Sequence, residues 1–256
     1  MFSWRFKRKF YYGFGALSVL VLLIGVPIFL ALYETPTCFD GKQNGRETGI
    51  DCGGSCVRLC SAELIAPIVR WTRVLPVSPG VYSVLASVEN PNVSTVGRGG
   101  VYTVKLFDER GAVLAERSSS ITIPAIAEVP VFVGNLNTGV NQAVRATFVF
   151  DKQPEWQKLP ENEPRPILDV SNEALSKVRG SVRLSARISN TSVYDAREVY
   201  VVAELANSQG NIVAASQTFV DALLRGESKE VVFTWPIDFG MERVVRITVT
   251  PIPTVK

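Results

Sequence analysis

Histidine is absent from this chain of 256 residues. Because histidine is the commonest general base and a common metal ligand, its absence excludes serine triads and His-ligated zinc sites. The sequence also lacks a nucleophile elbow, a phosphate-cradling glycine loop and a metalloprotease helix. We therefore expect a protein that is not an enzyme, and catalysis by carboxylates alone is the alternative that the composition leaves open.

Blocks of like charge are absent beyond the N-terminus. The formal net charge is +3, from 27 Lys and Arg against 24 Asp and Glu. Four of the basic residues precede an uncharged stretch: Arg5, Lys7, Arg8 and Lys9. Without them, the chain has 23 basic and 24 acidic residues. The excess of positive charge therefore indicates membrane topology and not a binding surface. No nucleic-acid partner is expected.

Charge is missing altogether from residues 10–33, a run of 24 positions. About 20 apolar residues in a helix cross the ~30 Å hydrocarbon core of a bilayer. Residues 10–33 are therefore predicted to span the cell membrane once, with residues 1–9 as a cytoplasmic tail and everything beyond Glu34 outside. The alternative is a cleaved secretory signal, which has a shorter apolar core of roughly 7–15 residues.

Cysteine is confined to 23 residues of the chain. The four positions are Cys38, Cys52, Cys56 and Cys60. An even number of clustered cysteines outside a membrane predicts two disulfides, in a module of residues 34–61, with three pairings open. A tetrahedral zinc site of four thiolates is the alternative.

Oxygen-bearing side chains alternate with glycines in the same module. They are Asp40, Asn44, Glu47 and Asp51. Such oxygens on a tight loop are candidate ligands for Ca²⁺, the one cofactor that the sequence suggests. The alternative is that these residues only form Asx-turns. Residues 38–60 contain the pattern C-x-D-G-x-x-N-x-x-E-x-G-x-D-C-G-G-x-C and resemble a short module beside anchors and adhesive repeats in exported bacterial and archaeal proteins. The resemblance implies a surface location.

From residue 62 onward the hydrophobic period is 2, and no long amphipathic helix competes. Tyr82, Val84, Ala86 and Val88 alternate with a second set of residues, as in a half-buried strand. The second set is Ser83, Leu85, Ser87 and Glu89. Short strands between Gly, Asn and Pro turns predict an all-β sandwich. Residues 62–150 and 167–256 repeat each other at an offset of 99–100 residues, so two sandwiches of immunoglobulin-like size are predicted in tandem.

Both copies resemble immunoglobulin-like (Ig-like) sandwiches of bacterial and archaeal envelope proteins. Residues 104–108, VKLFD, are similar to the F-x-L-Y-D signature of one such family. The second copy, with NTS at 190–192 and GESK at 226–229, resembles cell-adhesion-related bacterial domains. The resemblance implies architecture and a role in binding or spacing.

Four prolines between the copies predict a semi-rigid linker over residues 151–166 that sets the sandwiches end to end. They are Pro154, Pro160, Pro164 and Pro166. Trp156 lies in this stretch and is expected either to pack on a sandwich edge or to stay exposed as an anchor for a partner.

These features together predict an all-β protein with an N-terminal transmembrane helix, a disulfide-rich module and two Ig-like sandwiches. The expected function is that of a membrane-anchored structural or adhesive protein, with a protein or an envelope polymer as its partner outside the cell. The alternative is an accessory subunit of a pilus, secretion or wall-assembly complex. A third class, a carboxylate-only enzyme, requires paired acidic residues in one cleft.

Overall fold

The computed structural model describes residues 4–33, 35–92, 95–159, 166–236 and 239–254, with the backbone alone at residues 5–7 and 31. Its strands, its N-terminal helix and its disulfides agree with the predicted mostly β architecture. The chain divides into two compact units, residues 1–51 and residues 52–256, and each is described by itself.

The first unit contains helix α1, Trp4–Leu32, which includes Pro27. Within it, Arg8–Leu30 is long and apolar enough to cross a membrane, and none of this stretch is buried against other residues. A water-soluble fold would cover such a surface, so the helix suits a lipid environment. Glu34, which the sequence places at the outer end of the span, lies outside the described residues, as do the side chains of Arg5 and Lys7.

The second unit begins with the cysteine loop and continues as two antiparallel sandwiches. The strands of the first sandwich are β1 Ile68–Ser78, β2 Val81–Glu89, β3 Thr95–Phe107, β4 Val113–Ile123, β5 Glu128–Asn137, β6 Arg145–Lys152 and β7 Glu155–Lys158. One sheet has the order β1-β2-β5 and the other β4-β3-β6, and β7 pairs with the first part of β3. A short 3₁₀ helix, Ser61–Glu63, precedes β1.

The second sandwich repeats this strand order. Its strands are β8 Leu168–Val178, β9 Ser181–Asn190, β10 Ala196–Asn207, β11 Ile212–Leu223, β12 Ser228–Trp235 and β13 Val244–Pro253, with a 3₁₀ helix at Met241–Arg243. Its sheets are β8-β9-β12 and β11-β10-β13.

The same turn follows the central strand in both copies. In the first, the Asp108 carboxylate accepts the Ala112 N–H at 2.8 Å. In the second, the Asn207 side chain accepts the Asn211 N–H at 3.0 Å. Gly111 and Gly210 hold φ values of 81° and 78° in these turns, where a side chain would be strained.

Each sandwich has its own core between its two sheets. The inward side chains of β2 and β9 predicted from the period-2 pattern lie there, among them Val84 and Ala86 in the first core and Leu184 and Ala186 in the second. The alternation of apolar and polar residues therefore places one face of each strand correctly.

A third apolar cluster, the shared cluster, joins the two sandwiches. Its buried members are Leu75, Leu85, Val202 and Ala215, and Trp71, Phe132, Ile212 and Ile252 pack against it. The β1-β2-β5 sheet thus packs by its outer face on the β11-β10-β13 sheet. The expectation of sandwiches set end to end is wrong, because Leu85 and Val202 need a covered surface that only the other sandwich provides.

The stretch expected to be a linker is partly regular structure. Residues up to Lys152 belong to β6, and Glu155–Lys158 form β7. Pro160 and Pro164 lie outside the described residues.

Candidate functional site

The cysteine loop of the second unit is closed by a disulfide between Cys52 and Cys60. Cys38 and Cys56 are also disulfide-bonded, so no cysteine of the chain is a free thiol. A loop this short has no core of its own, and covalent closure takes the place of one.

Strand β7 fastens this loop to the first sandwich. Leu59 donates its N–H to the Trp156 carbonyl at 3.0 Å, and Lys158 donates its N–H to the Val57 carbonyl at 2.8 Å. The Lys158 ammonium also donates to the Gly54 carbonyl at 2.6 Å. The loop is therefore an added edge of the β4-β3-β6 sheet, reached through β7, and is held by backbone hydrogen bonds.

Trp156 is the centre of this attachment. Its side chain is 4% exposed and lies in the first core, while Leu59 and Leu64 pack against the same core from the loop side. A Cβ at Gly97 would lie 3.2 Å from the Trp156 ring, so the strand opposite needs glycine for the ring to fit. The hypothesis of an exposed partner anchor is wrong, because the indole is enclosed. The prolines around Trp156 in the sequence predicted a linker, so the pattern did not indicate a core position there.

The four oxygen-bearing residues of the first unit lie together in the loop of residues 37–51. The Asp51 carboxylate accepts the N–H groups of Asp40 at 3.0 Å and Gly41 at 2.9 Å. The Asp40 carboxylate accepts the Lys42 N–H and the Asn44 side-chain amide, both at 2.9 Å.

These contacts have an electrostatic consequence for Asp40. The hydrogen bond from Asn44, followed by those from the Thr37 and Lys42 N–H groups, lowers the pKa of Asp40. Glu47 accepts the Asn44 N–H at 3.3 Å. The carboxylates therefore close turns of the loop, as in the alternative of Asx-turns, and calcium binding by the same oxygens is the competing hypothesis.

A cleft of about 510 Å³ borders the shared cluster between the sandwiches. Polar and aromatic side chains line it, principally Trp71, Arg73, Glu128, Glu204, Arg246 and Thr248. They come from β1, β5, β10 and β13, so the cleft exists only because the two sandwiches pack side by side. Nothing in the sequence places residues from strands this distant together.

Glu204 is the residue of this cleft whose pKa is shifted. Burial raises the pKa of Glu204, the charge of Glu128 raises it further, and Arg246 opposes the shift. Glu128 accepts a hydrogen bond from the Ser87 hydroxyl. Among the residues that the structure describes, none donates a hydrogen bond to the Glu204 carboxyl. A half-buried carboxylate that accepts no hydrogen bond from the protein can accept one from a bound ligand.

The basic residues at the start of α1 that fall among the described side chains are exposed. They are Arg8 and Lys9. The Arg8 guanidinium lies 5.5 Å from the Trp4 ring and 5.7 Å from the Tyr12 ring. Aromatic and basic side chains in contact are typical of a membrane interface.

No family model matches the chain, and no curated protein matches it. Solved structures give distant similarities. Red sea bream transglutaminase is 13% identical with a TM-score of 0.24 over 72% of this chain and 29% of its own. Amycolatopsis orientalis exo-chitosanase CsxA is 14% identical with a TM-score of 0.23 over 66% of this chain and 25% of its own. The CBM22-1–CBM22-2 tandem domain of Paenibacillus barcinonensis Xyn10C is 10% identical with a TM-score of 0.14, covering 75% of this chain and 86% of that one. The chain thus spans less than a third of the length of the first two proteins.

Proposed function

We propose that this chain is a membrane-anchored structural or binding protein of the cell envelope, with its N-terminus in the cytoplasm and its sandwiches outside. The observation that carries the proposal is the order of parts. An exposed apolar helix is followed at once by a segment in which every cysteine is disulfide-bonded. Disulfides persist in oxidising compartments, so the segment beyond the helix belongs outside the cytoplasm.

The charge at the start of the helix supports the same orientation. Lys and Arg within about 15–20 residues of a span favour the cytoplasmic side. Arg5, Lys7, Arg8 and Lys9 all precede residue 10, and α1 carries no basic residue in its last turn.

The architecture supports a role in presentation and binding. Both sandwiches place strands 1, 2 and 5 of the copy in one sheet and strands 4, 3 and 6 in the other. An Ig-like sandwich likewise has A, B and E in one sheet and C and F in the other, and strand 4 here lies beside strand 3, in the sheet to which variable-type domains add C′. We infer that the two copies are Ig-like and that their packing joins two modules into one compact unit.

Protease treatment of intact spheroplasts tests the topology. We expect the sandwiches to be digested while a tag at the N-terminus stays protected. Replacing Arg5, Lys7, Arg8 and Lys9 by Gln removes the charge asymmetry, and the protected fraction of the tag should fall.

A matched control removes four positive charges elsewhere, at exposed positions of the second sandwich: Arg183, Arg187, Arg197 and Arg225 to Gln. This variant should keep the original topology. Protection of the sandwiches in intact spheroplasts would contradict the proposal.

One observation favours a second function, hydrolysis by carboxylates. Glu128 and Glu204 line the same cleft, and the raised pKa of Glu204 suits a proton donor. A pair of this kind cleaves glycosidic bonds in many enzymes. Release of reducing ends from oligosaccharides by the whole chain, lost in the Glu204→Gln variant, would establish this function. Intact oligosaccharides after prolonged incubation would eliminate it.

A further inference from the structure

The cleft beside the shared cluster has the position and size of a ligand site. Binding sites in proteins favour domain interfaces and enclose roughly 300–1,000 Å³, and this cleft encloses about 510 Å³. It is formed by strands of both sandwiches, so its walls are fixed by the packing of Leu85 against Val202 and Ala215.

The charges of the cleft balance each other. Arg73 and Glu128 line it from the first sandwich, Glu204 and Arg246 line it from the second, and no ion pair within 4.0 Å joins these four side chains. Two positive and two negative groups that are not paired with one another leave hydrogen-bond donors and acceptors bordering a shared space. A ligand without net charge that both donates and accepts hydrogen bonds is the best match.

Hydroxyl and aromatic groups complete the lining. Ser87, Thr248 and Thr250 contribute hydroxyl groups, and Trp71 contributes part of an indole that also packs against the shared cluster. An aromatic ring beside planar charged groups receives a molecule with one apolar face and a polar rim. A hexose ring has this form.

A second cleft, of about 490 Å³, lies along the same contact between the sandwiches. Its lining includes Phe132, Tyr200 and Ile252, with Glu198 as its carboxylate and no Arg or Lys. Because it has no positively charged side chain, it offers less to orient a ligand than the cleft at Glu204.

We propose that the cleft lined by Trp71, Arg73, Glu128, Glu204 and Arg246 binds the hexose units of an uncharged glycan. Trp71 packs on the apolar face of the ring, while the two arginines and two glutamates hydrogen-bond its hydroxyl groups. This inference rests on the proposed function, since a protein outside the membrane meets the glycans of the envelope. It names the partner of that protein as a sugar polymer.

The experiment uses the whole chain, purified in detergent micelles. It is applied to a glycan array that spans neutral, N-acetylated and acidic hexoses, and the strongest binder is titrated by calorimetry. We expect saturable binding of a neutral or N-acetylated oligosaccharide. Arg246→Gln and Glu204→Gln should each weaken the affinity about tenfold, because each removes hydrogen bonds to a charged group.

Two further variants separate the cleft from the fold. Trp71→Phe keeps an apolar ring in the shared cluster and should weaken binding without a change in the unfolding transition. Arg183→Gln, at an exposed position of β9 away from the cleft, should leave the affinity within about twofold, as a surface change distant from the ligand does.

Failure of every glycan to bind would overturn the proposal, and so would binding that the cleft variants leave unchanged or binding confined to acidic glycans. The protease test of topology is independent of these outcomes. Digestion of the sandwiches in spheroplasts without glycan binding would remove this inference and leave the proposed function standing.

Discussion

Asn90 and Asn190 occupy the same position in the two sandwiches, and each is 1% exposed. Asn90 donates its side-chain amide to the Pro124 carbonyl at 2.9 Å, and Asn190 donates to the Leu223 carbonyl at 2.9 Å. Each side-chain oxygen accepts the N–H two residues further along the chain, at 2.8 Å in the first copy and 3.1 Å in the second. One buried amide thus joins the end of the second strand of each copy to the end of its fourth strand.

Replacing either asparagine by alanine should destabilise its own sandwich. Asn90→Ala and Asn190→Ala each leave buried carbonyl and N–H groups without partners, which costs about 1–3 kcal/mol. The free energy of unfolding in urea, measured on the whole chain in detergent, checks this. Asn141→Ala is the control, because Asn141 is exposed and its side chain makes no hydrogen bond with the residues that the structure describes. Equal stability of all three variants would show that the buried amides are dispensable.

Trp156→Ala should detach the cysteine loop from the first sandwich as well as weaken the core. Loss of a buried tryptophan costs about 3–5 kcal/mol. Hydrogen exchange at the Leu59 and Lys158 amides should rise in the variant, since both bond across this contact. Trp4→Ala, at a residue that is 73% exposed, should change neither quantity. Unchanged exchange at Leu59 in Trp156→Ala would mean that the loop is held by other contacts.

The disulfides should be complete in the protein purified from membranes. Alkylation without reduction should label none of the four cysteines, and labelling of four would contradict the assignment. Replacing Cys52 and Cys60 by Ser removes a bridge across a sequence separation of 8, and closure of so short a loop contributes about 2–3 kcal/mol to its local stability. Proteolysis should then cut within residues 52–60. Ser55→Ala, which changes a side chain of the same loop and keeps the disulfide, is the control and should resist cleavage.

The stability of the second unit should fall as the pH rises through the folded pKa of Glu204. Burial and Glu128 raise the pKa of Glu204 above its ordinary value of 4.5. The folded state then binds the proton more tightly than the unfolded state, so the contribution is complete below 4.5 and is lost above the folded pKa. The charged groups facing Glu204 in the cleft are Glu128, Arg73 and Arg246.

Urea unfolding between about pH 4 and pH 8 measures this dependence. Glu204→Gln should be less sensitive to pH in this range and more stable than the wild type at neutral pH. Glu230→Gln changes an exposed carboxylate of β12 and should follow the wild type. Identical curves for wild type and Glu204→Gln would show that the cleft is well hydrated.

Calcium should leave the loop of residues 37–51 unchanged, because hydrogen bonds from N–H groups already occupy the Asp40 and Asp51 carboxylates. We would titrate the whole chain with calcium in the millimolar range, where extracellular modules bind it, and record the heat. A saturable heat that is lost in Asp40→Asn but kept in Asp221→Asn would reverse this expectation and identify a calcium site.

The sequence predicted the inward faces of the strands well. Val84, Ala86 and Val88 recur at every second position, and the repeat of this pattern at Leu184 and Ala186 also located the second core. Period and repeat are local properties of the chain, so they can be observed without the fold.

The outer faces could not be predicted in the same way. Ser83 and Ser87 are typical of a strand facing water, yet each is only 2% exposed. They lie on the same face of β2 as Leu85, which packs against the second sandwich. The cleft at Glu204 depends on the same contact. Packing between domains depends on shape and area far apart in sequence, which no periodicity records.

The contact between the sandwiches joins two different faces, one from each copy. Within the described part of the chain, the equivalent face of the other copy makes no such contact in either case. The equivalents of Ser83 and Ser87 in the second copy are Arg183 and Arg187. The equivalent of Glu204 in the first copy is Lys105, which forms an ion pair with Glu116 at 2.9 Å. A head-to-tail contact between unlike faces has no symmetry that closes it, and it can extend into a filament when both ends stay compatible.

Arg183 and Arg187 carry positive charge where the joined face of the first copy has Ser83 and Ser87, and Lys105 reverses the charge of Glu204. In repeat proteins, a polar outer face on a unit prevents further stacking. Arg183, Arg187 and Lys105 give the two open faces of this chain such a polar character. These charges oppose the same contact at the two open faces. Exchanging the three side chains for their counterparts should therefore favour association between molecules through those faces.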